Sequence, residues 1–557
     1  MIFHVSDVRK RVERLCSGQF IMNFIKRCSC YATDLILSGW FALCIFQTSE
    51  SLHEDNDVKW YTTQVGGLVL LICVALFVKD VRHFAIKHIA RKRFFAIIWG
   101  LGILVAIHGI LQFFHLFPSN HSAFPVTGPY ENPAGITSVL ALTFPIGVYF
   151  FLNSIGWKKV FIGLFVVLVI VAISLAGARA AMLAVLLSTT TMLTMRTSLR
   201  QWFLQHRIVL YIVIGFCIVG GIYLFLWKSE SVFGRLYIWG IALSLVPKHP
   251  ICGFGPNGFK SHYMLQQADY FEHFPHSQYA EIADNISHPF NEYIHIMINW
   301  GHLGLLLFAG FLALLVIQAY RQRQWYSTVV VAVIQALSVL CMFSYPLRYA
   351  AVWIILIAVA IQPWLQYLPL KVKSIPRIAM VTLCFCLLRI LYMDVVAEIN
   401  WKRTSDRALM GYSEQMLPYF KRLYNTTYLS GNPYFLYNYA AELNYSGQYR
   451  GSIVMLNNCK EYLYDYDVAL LMADNYAELH MPDSALWYAQ QTSRMIPCRF
   501  LPLDYMLNAY IEKGDSAQAM KNARIILSKP VKVNSIMVEE IRKKAEIIVS
   551  SDIIAVR

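Results

Sequence analysis

The chain has 557 residues, 57% of them hydrophobic and only 15% charged, with a formal net charge of +15. Its apolar residues gather in blocks of about 17–22, long enough to cross a bilayer core of roughly 30 Å, which excludes an ordinary water-soluble protein. Most Lys and Arg lie in short loops between those blocks, and no basic stripe is interleaved with aromatics, so the positive charge speaks for membrane orientation and against nucleic-acid binding.

The opening stretch, 1–30, is basic and has no small-residue cleavage site after its first apolar run. It reads as a cytoplasmic segment followed by a retained span rather than as a signal peptide. Apolar windows place about eleven spans, near 31–48, 63–79, 94–115, 133–152, 158–174, 178–195, 208–227, 300–320, 327–343, 349–367 and 376–393. The fifth and sixth come from one run, Val160 to Met195, broken by Gly177-Ala178-Arg179, which predicts a tight hairpin. Loop charge supports the count. The N-terminus, Lys79–Arg93, Trp157–Lys159, Arg196–Arg207, Arg321–Arg323 and Leu370–Arg377 are basic and fall on one side. The acidic Ser49–Trp60 loop, Phe117–Pro133, the Arg179 hairpin, the long polar loop 228–289 and Ser344–Tyr349 fall on the other. With eleven spans, the region after residue 395 emerges on that second, outer side.

From about Trp401 the pattern changes to short amphipathic helices. Tyr439, Tyr476 and Tyr510 stand 37 and 34 residues apart and open similar units: YAAELNYSGQY, YAELHMPDSA and YIEKGDSA. This resembles tetratricopeptide repeats, helix–turn–helix units of about 34 residues that stack on a shared core and can offer a groove to a protein partner. A helical cap without a ligand reads equally well from the same residues. The expected fold is therefore all-α: a polytopic membrane domain over 31–395 with its outer loop at 228–289, and a helical repeat domain over 400–557. Of twelve cysteines none forms a CxxC pair, and Cys28-Ser29-Cys30 reads as incidental. Cys459 and Cys498 can bridge only if their domain lies outside the cytosol.

Several polar residues invite chemistry. Arg179 lies at the outer end of a span among small residues; an arginine at that depth needs a partner or solvent, and either a ligand or snorkelling to the interface supplies it. Arg235 opens the stretch Arg235-Leu236-Tyr237-Ile238-Trp239, and two guanidinium forks on one face suit a diphosphate, although for Arg235 alone a headgroup contact is the better explanation. The turn Gly253-Phe254-Gly255-Pro256-Asn257-Gly258 allows close backbone approach, and Gly255 and Asn257 are its candidate binding residues. It lacks the signature of a phosphate loop. Among His262, His273, His276 and His288, spacing with Glu272 and Glu281 matches no zinc pattern, and no metal is expected. His288, in His288-Pro289-Phe290-Asn291-Glu292-Tyr293, stands at the mouth of a span; its imidazole can take a proton from an acceptor hydroxyl, with Glu292 one helical turn on to orient it. Asn291 and His276 are further candidate contacts. Asn132, before Pro133, reads as a helix N-cap at the end of an outer loop and is a further candidate substrate contact.

Together, GPYENPAG before a span, the GARAA arginine, the R-x-x-x-W opening of the long loop, GFGPNGF and HPFNEYIHIMINWGHLGLL resemble the O-antigen ligase and polymerase superfamily over roughly residues 95–345. The resemblance implies a GT-C-like membrane glycosyltransferase of the bacterial inner membrane that takes a glycan from an undecaprenyl-diphosphate carrier on the periplasmic face, with no cofactor. It maps the family's two arginines and histidine onto Arg179, Arg235 and His288. Many members carry His-x-His-Asn; here Phe290 stands immediately before Asn291, and only the earlier His288 remains, so His276 or Glu292 can share its task. Ligation to lipid A–core is the leading reading. A growing glycan or a protein hydroxyl are the other acceptors, and a transporter of lipid-linked glycan is the rival from another class. Membrane lipids, and a protein at the repeat domain, are the remaining expected partners.

Overall fold

The computed structural model describes residues 33–78, 80–89, 92–195, 215, 229–368 and 374–555, and all regular structure among them is helical. In chain order the helices are α1 (Thr33–Phe46), α2 (Asp55–Phe77), α3 (Val81–His88), α4 (Lys92–Phe113), α5 (Pro133–Leu152), α6 (Gly156–Leu175), α7 (Arg179–Thr194), α8 (Ser229–Leu245), α9 (Gly258–His273), α10 (Glu292–Gln322), α11 (Ser327–Phe343), α12 (Ala350–Ala360) and α13 (Ser374–Arg407). They continue as α14 (Ser413–Thr426), α15 (Pro433–Tyr445), α16 (Tyr449–Lys460), α17 (Tyr466–Glu478), α18 (Pro482–Met495), α19 (Leu501–Glu512), α20 (Ser516–Ser528) and α21 (Ile536–Ala555).

Among the described residues, α2, α4, α5, α6, α10 and the run that begins with α13 are long and apolar enough to cross a membrane, and α1, α7, α11 and α12 are shorter apolar helices. The chain is a multi-pass membrane protein. Ten of the expected spans coincide with these helices, while the expected span 208–227 lies outside the described residues apart from residue 215. Three helices overrun their expected bounds. α2 starts at Asp55, inside the acidic loop, because Asp55 and Asp57 in its first turn complement the helix dipole. α10 starts at Glu292, and α13 runs on to Arg407. The stretch expected as a polar loop, 228–289, holds two helices, α8 and α9.

The chain divides into two compact units, residues 1–216 with 311–392, and residues 217–310 with 393–557. The first is built around α5, which is buried from Gly135 to Val148 and packs against α4, α6, α7, α11 and α12. Small residues allow this: a Cβ on Gly102 would meet Thr143 Oγ1 at 2.4 Å, and one on Gly147 would meet the Trp99 indole at 2.3 Å. The expected hairpin between α6 and α7 is present, with Gly177 at φ 66.

In the second unit, α9 shares one buried core with the C-terminal helices. Phe259, Tyr263 and Phe271 belong to the same cluster as Phe420, Phe435 and Met472. Fully buried Gln267 donates to the Met495 carbonyl at 2.7 Å, and Glu272 pairs with Arg494 at 2.8 Å. The C-terminal helices pack in succession, α15 on α16, α17 on α18 and α19 on α20. Cys459 and Cys498 are not joined. Cys459 is buried and Cys498 partly so, and burial pushes the Cys459 thiol up to about 12.

The turn inside each helix pair holds one residue in the left-handed region: Gly447 (φ 72), His480 (φ 53) and Gly514 (φ 71). His480 does what glycine does in the flanking turns, and a side chain there costs about 1–2 kcal/mol. Its Nδ1 lies 3.0 Å from Glu512 with the imidazole 86% exposed, too solvated a pair to offset much of that cost. After glycine's larger unfolded-state entropy is subtracted, His480→Gly is expected to stabilise the protein by about 0.5–1 kcal/mol, seen as a raised thermal midpoint of the full-length protein in detergent.

Candidate functional site

The second unit brings two sequence motifs together. Arg235 and Trp239 are four residues apart on α8 and so share a face. The Arg235 guanidinium lies over the Phe290 ring, 5.7 Å from its centroid. The Trp239 indole N–H donates to the Pro289 carbonyl at 2.8 Å. The R-x-x-x-W helix thus clasps the segment that carries His288. Phe290 itself sits at φ 54, a strained conformation for an aromatic residue.

Asn291 ends that segment by capping α10: its Oδ1 accepts from the N–H groups of Tyr293 (3.0 Å) and Ile294 (3.1 Å). Beyond the cap, Glu292, His295 and Asn299 follow on one face of the helix. Glu292 is only 6% exposed, and its Oε2 lies 3.6 Å from His295 Nδ1. The His288 and His295 rings meet nearly edge to face, with centroids 5.6 Å apart.

Asn299 fixes the second imidazole. Its Oδ1 accepts from the Phe259 N–H at 3.0 Å, and its amide nitrogen donates to the Pro256 carbonyl at 2.8 Å. With both ends of the amide fixed by backbone, the remaining N–H faces His295 Nε2 at 3.2 Å. That makes Nε2 the acceptor and leaves the neutral ring's proton on Nδ1, toward Glu292.

The glycine turn has a structural task. α10 is broken at Gly301, at φ 67 and ψ −168. The freed carbonyls of Ile298 and Asn299 accept from the N–H groups of Phe254 and Gly255, both at 2.9 Å, and His302 N–H donates to Pro250 at 2.9 Å. The Gly255 N–H is therefore taken up by the helix break. The Asn257 carbonyl accepts from both the N–H (3.0 Å) and the hydroxyl (3.0 Å) of Ser261.

The other expected residues lie elsewhere. Arg179, in the first unit, is the first residue of α7 and half-buried. Asn132 caps α5, as its sequence context implies, accepting from Ala134 N–H at 2.9 Å. His276 is exposed. His262 packs on Phe254 with centroids 4.2 Å apart, and burial lowers its pKa. Among the described residues no three His, Cys, Asp or Glu side chains converge as a metal site would require. His295 and Asn299 escaped the sequence reading. Their i+3 and i+7 spacing from Glu292 is the signal that marks them, masked by the apolar helix around them.

Residues 137–309 match the model of the O-antigen ligase family. Over this segment, under half of the chain, it is similar to that family. The matched segment contains Arg179, Arg235 and the whole clasp from α8 to the Gly301 break, while Asn132 lies just before it and the C-terminal helices after it. No curated protein matches the chain.

The break allows no larger residue at its contact points. A Cβ on Gly253 (φ 69) would lie 2.4 Å from the Asn299 carbonyl carbon, and one on Gly301 would lie 2.0 Å from the Ile251 oxygen. Both neighbours are backbone, which cannot rotate away. Gly253→Ala is expected to destabilise the protein by about 2–5 kcal/mol, by adding left-handed strain to overpacking. A lowered thermal midpoint and loss of membrane-inserted protein would register it.

Proposed function

We propose that the chain is a membrane glycosyltransferase of the O-antigen ligase type, which transfers a glycan from an undecaprenyl-diphosphate carrier to an acceptor hydroxyl on the periplasmic face of the bacterial inner membrane. The observation that carries this reading is the clasp of Arg235 and Trp239 on the His288–Pro289–Phe290 segment, inside the matched family domain. It sets a permanent cation and an imidazole-bearing segment side by side. Loop charge supports an outer position for Arg179 as well.

In the proposed reaction the acceptor hydroxyl gives its proton to His288 as its oxygen attacks the anomeric carbon. The bond from that carbon to the diphosphate oxygen breaks with inversion. The electron pair leaves with undecaprenyl diphosphate, whose growing charge Arg179 and Arg235 stabilise. Buried Glu292 orients His295, and His295, edge to face with His288, gives the shifted histidine a second imidazole in place of the one that Phe290 displaces. No metal or cofactor enters the scheme. The helical region over 400–557 is read as a periplasmic, tetratricopeptide-like domain that can receive a protein partner.

Deletion of the gene, complemented by wild type, Arg235→Ala or His288→Ala, tests the reading. Arg235→Ala is expected to lower transfer by roughly a hundredfold or more while the protein still inserts and folds, because the guanidinium acts chiefly on the leaving group. Glycan blots assign the acceptor. Loss of long glycan from lipid A–core alone means a ligase, single repeats left on lipid A–core a polymerase, and loss from proteins alone an oligosaccharyltransferase. Wild-type activity in both variants would overturn the catalytic assignment and favour transport.

A further inference from the structure

Within the first unit, three outer loops enclose a polar cavity of about 160 Å³ that no proposed step uses. Its walls are the first turn of α2, the end of the loop before α5, and the turn that leads into α12. At about 30 Å³ per water it holds roughly five waters, the scale of one sugar ring with its hydroxyls.

The walls are held by specific bonds. Arg348 pairs with Glu54 at 2.9 Å, and the Arg348 carbonyl accepts from the Trp60 indole (2.9 Å) and the Asn56 amide (3.2 Å), which ties the turn before α12 to α2. Buried Gln112 fixes the loop before α5, accepting from the Thr127 (3.0 Å) and Gly128 (2.7 Å) N–H groups and donating to Pro118 and Gly128 carbonyls, both at 3.0 Å. The Tyr130 and Tyr349 rings meet with centroids 5.3 Å apart, and Tyr345 lies 6.1 Å from Tyr349.

Lys59 points to a ligand. It is 2% exposed, yet among the described residues its ammonium makes one long hydrogen bond, to the Asp55 carbonyl at 3.4 Å, and lies 5.5 Å from the Tyr130 ring centroid. A buried ammonium with donors left over is costly unless something polar enters beside it. The neighbouring charges say what kind of group that is. Glu54, Asp55 and Glu131 outnumber Lys59 and Arg348, and Arg348 already pairs with Glu54 through one nitrogen. This balance disfavours a phosphate or an acidic sugar. Aromatic faces beside a leftover donor and a carboxylate match a ring whose hydroxyls both donate and accept.

We infer that the cavity is a saccharide subsite that takes one neutral or amino-bearing sugar residue against the tyrosine cluster, with Lys59 donating to it and Glu131 accepting from it. The inference rests on the glycan-transfer reading for the source of the sugar, which is either the donor glycan or the acceptor.

The full-length protein in lipid nanodiscs, titrated by calorimetry with three probes, tests this. The probes are the oligosaccharide released by mild acid from the cell's undecaprenyl-linked glycan, the oligosaccharide released from its lipid A–core, and sugar-free undecaprenyl diphosphate. Wild type is expected to bind one of the two oligosaccharides. Lys59→Met and Glu131→Gln are each expected to weaken that binding about ten- to a hundredfold without changing affinity for the sugar-free diphosphate. Which oligosaccharide responds tells donor from acceptor. Should Lys59→Met fail to insert, Glu131→Gln, in a loop outside the spans, carries the test alone. Unchanged oligosaccharide affinity in both variants overturns the subsite, and so does wild type binding the diphosphate but neither oligosaccharide, which leaves the proposed function standing. Oligosaccharide binding that depends on Lys59 and Glu131, without any diphosphate binding, supports the subsite and counts against the proposed chemistry.

Discussion

A helix that breaks must satisfy the carbonyls it frees, and the arrangement around His288 depends on how α10 does so at Gly301. The turn from Gly253 to Gly258 supplies the missing N–H groups to Ile298 and Asn299, and Asn299 returns its side chain to Phe259 and Pro256. Unpaired, each freed carbonyl would cost about 1–3 kcal/mol in a buried setting. The exchange therefore does more than close a loop. It locks the start of α9 against the start of α10 and aims the last N–H of Asn299 at His295. The tautomer of that imidazole follows from a backbone repair made one turn away.

The same constraint separates two readings of glycine. In a polar loop, glycines at φ 69 and φ 95, such as Gly253 and Gly255, look like a cradle for a phosphate. Here the N–H of Gly255 already has a carbonyl, and the close approach that Gly253 permits is to the chain's own backbone. A cradle for an anion needs N–H groups without internal partners. Positive charge near His288 comes instead from Arg235, whose guanidinium α8 holds over Phe290.

Much of this fold was legible in the sequence because bilayer thickness converts directly into the length of an apolar run. The spans, the Gly177 hairpin and the Asn132 cap follow from local rules alone. α8 and α9 did not, since their apolar residues face a core supplied by residues more than a hundred positions later, such as Phe420 and Met495, and a polar loop is the default reading without that partner. The site was legible in part for the same reason. Arg235 and Trp239 announce one face by their spacing, but what that face holds is decided by Pro289 and Phe290, some fifty residues on. His295 was hidden in an apolar run, where a histidine reads as filler until Glu292 and Asn299 are seen on its side of the helix. The cavity beside Lys59 needs three loops at once, and no single stretch of sequence contains it.

The C-terminal helices take on a different meaning once their core is known. An appended repeat domain is commonly free to move relative to its host, and its loss then leaves the host intact. Here the contacts from α9 outward are specific: buried Gln267 to Met495, and nearer the surface Glu272 to Arg494, Lys260 carbonyl to Tyr464, and Asn285 to Asp465 and Asp467 at 3.1 Å. α9 in turn begins at the turn that repairs the α10 break. The chain of fixed contacts thus runs from the C-terminal helices through α9 and Asn299 to His295, and from α8 to the His288 segment. The proposed transfer reaction would gain from groups held in place before the substrates arrive, because ordering them at the moment of reaction adds to the barrier. On that proposal the C-terminal helices contribute to that order.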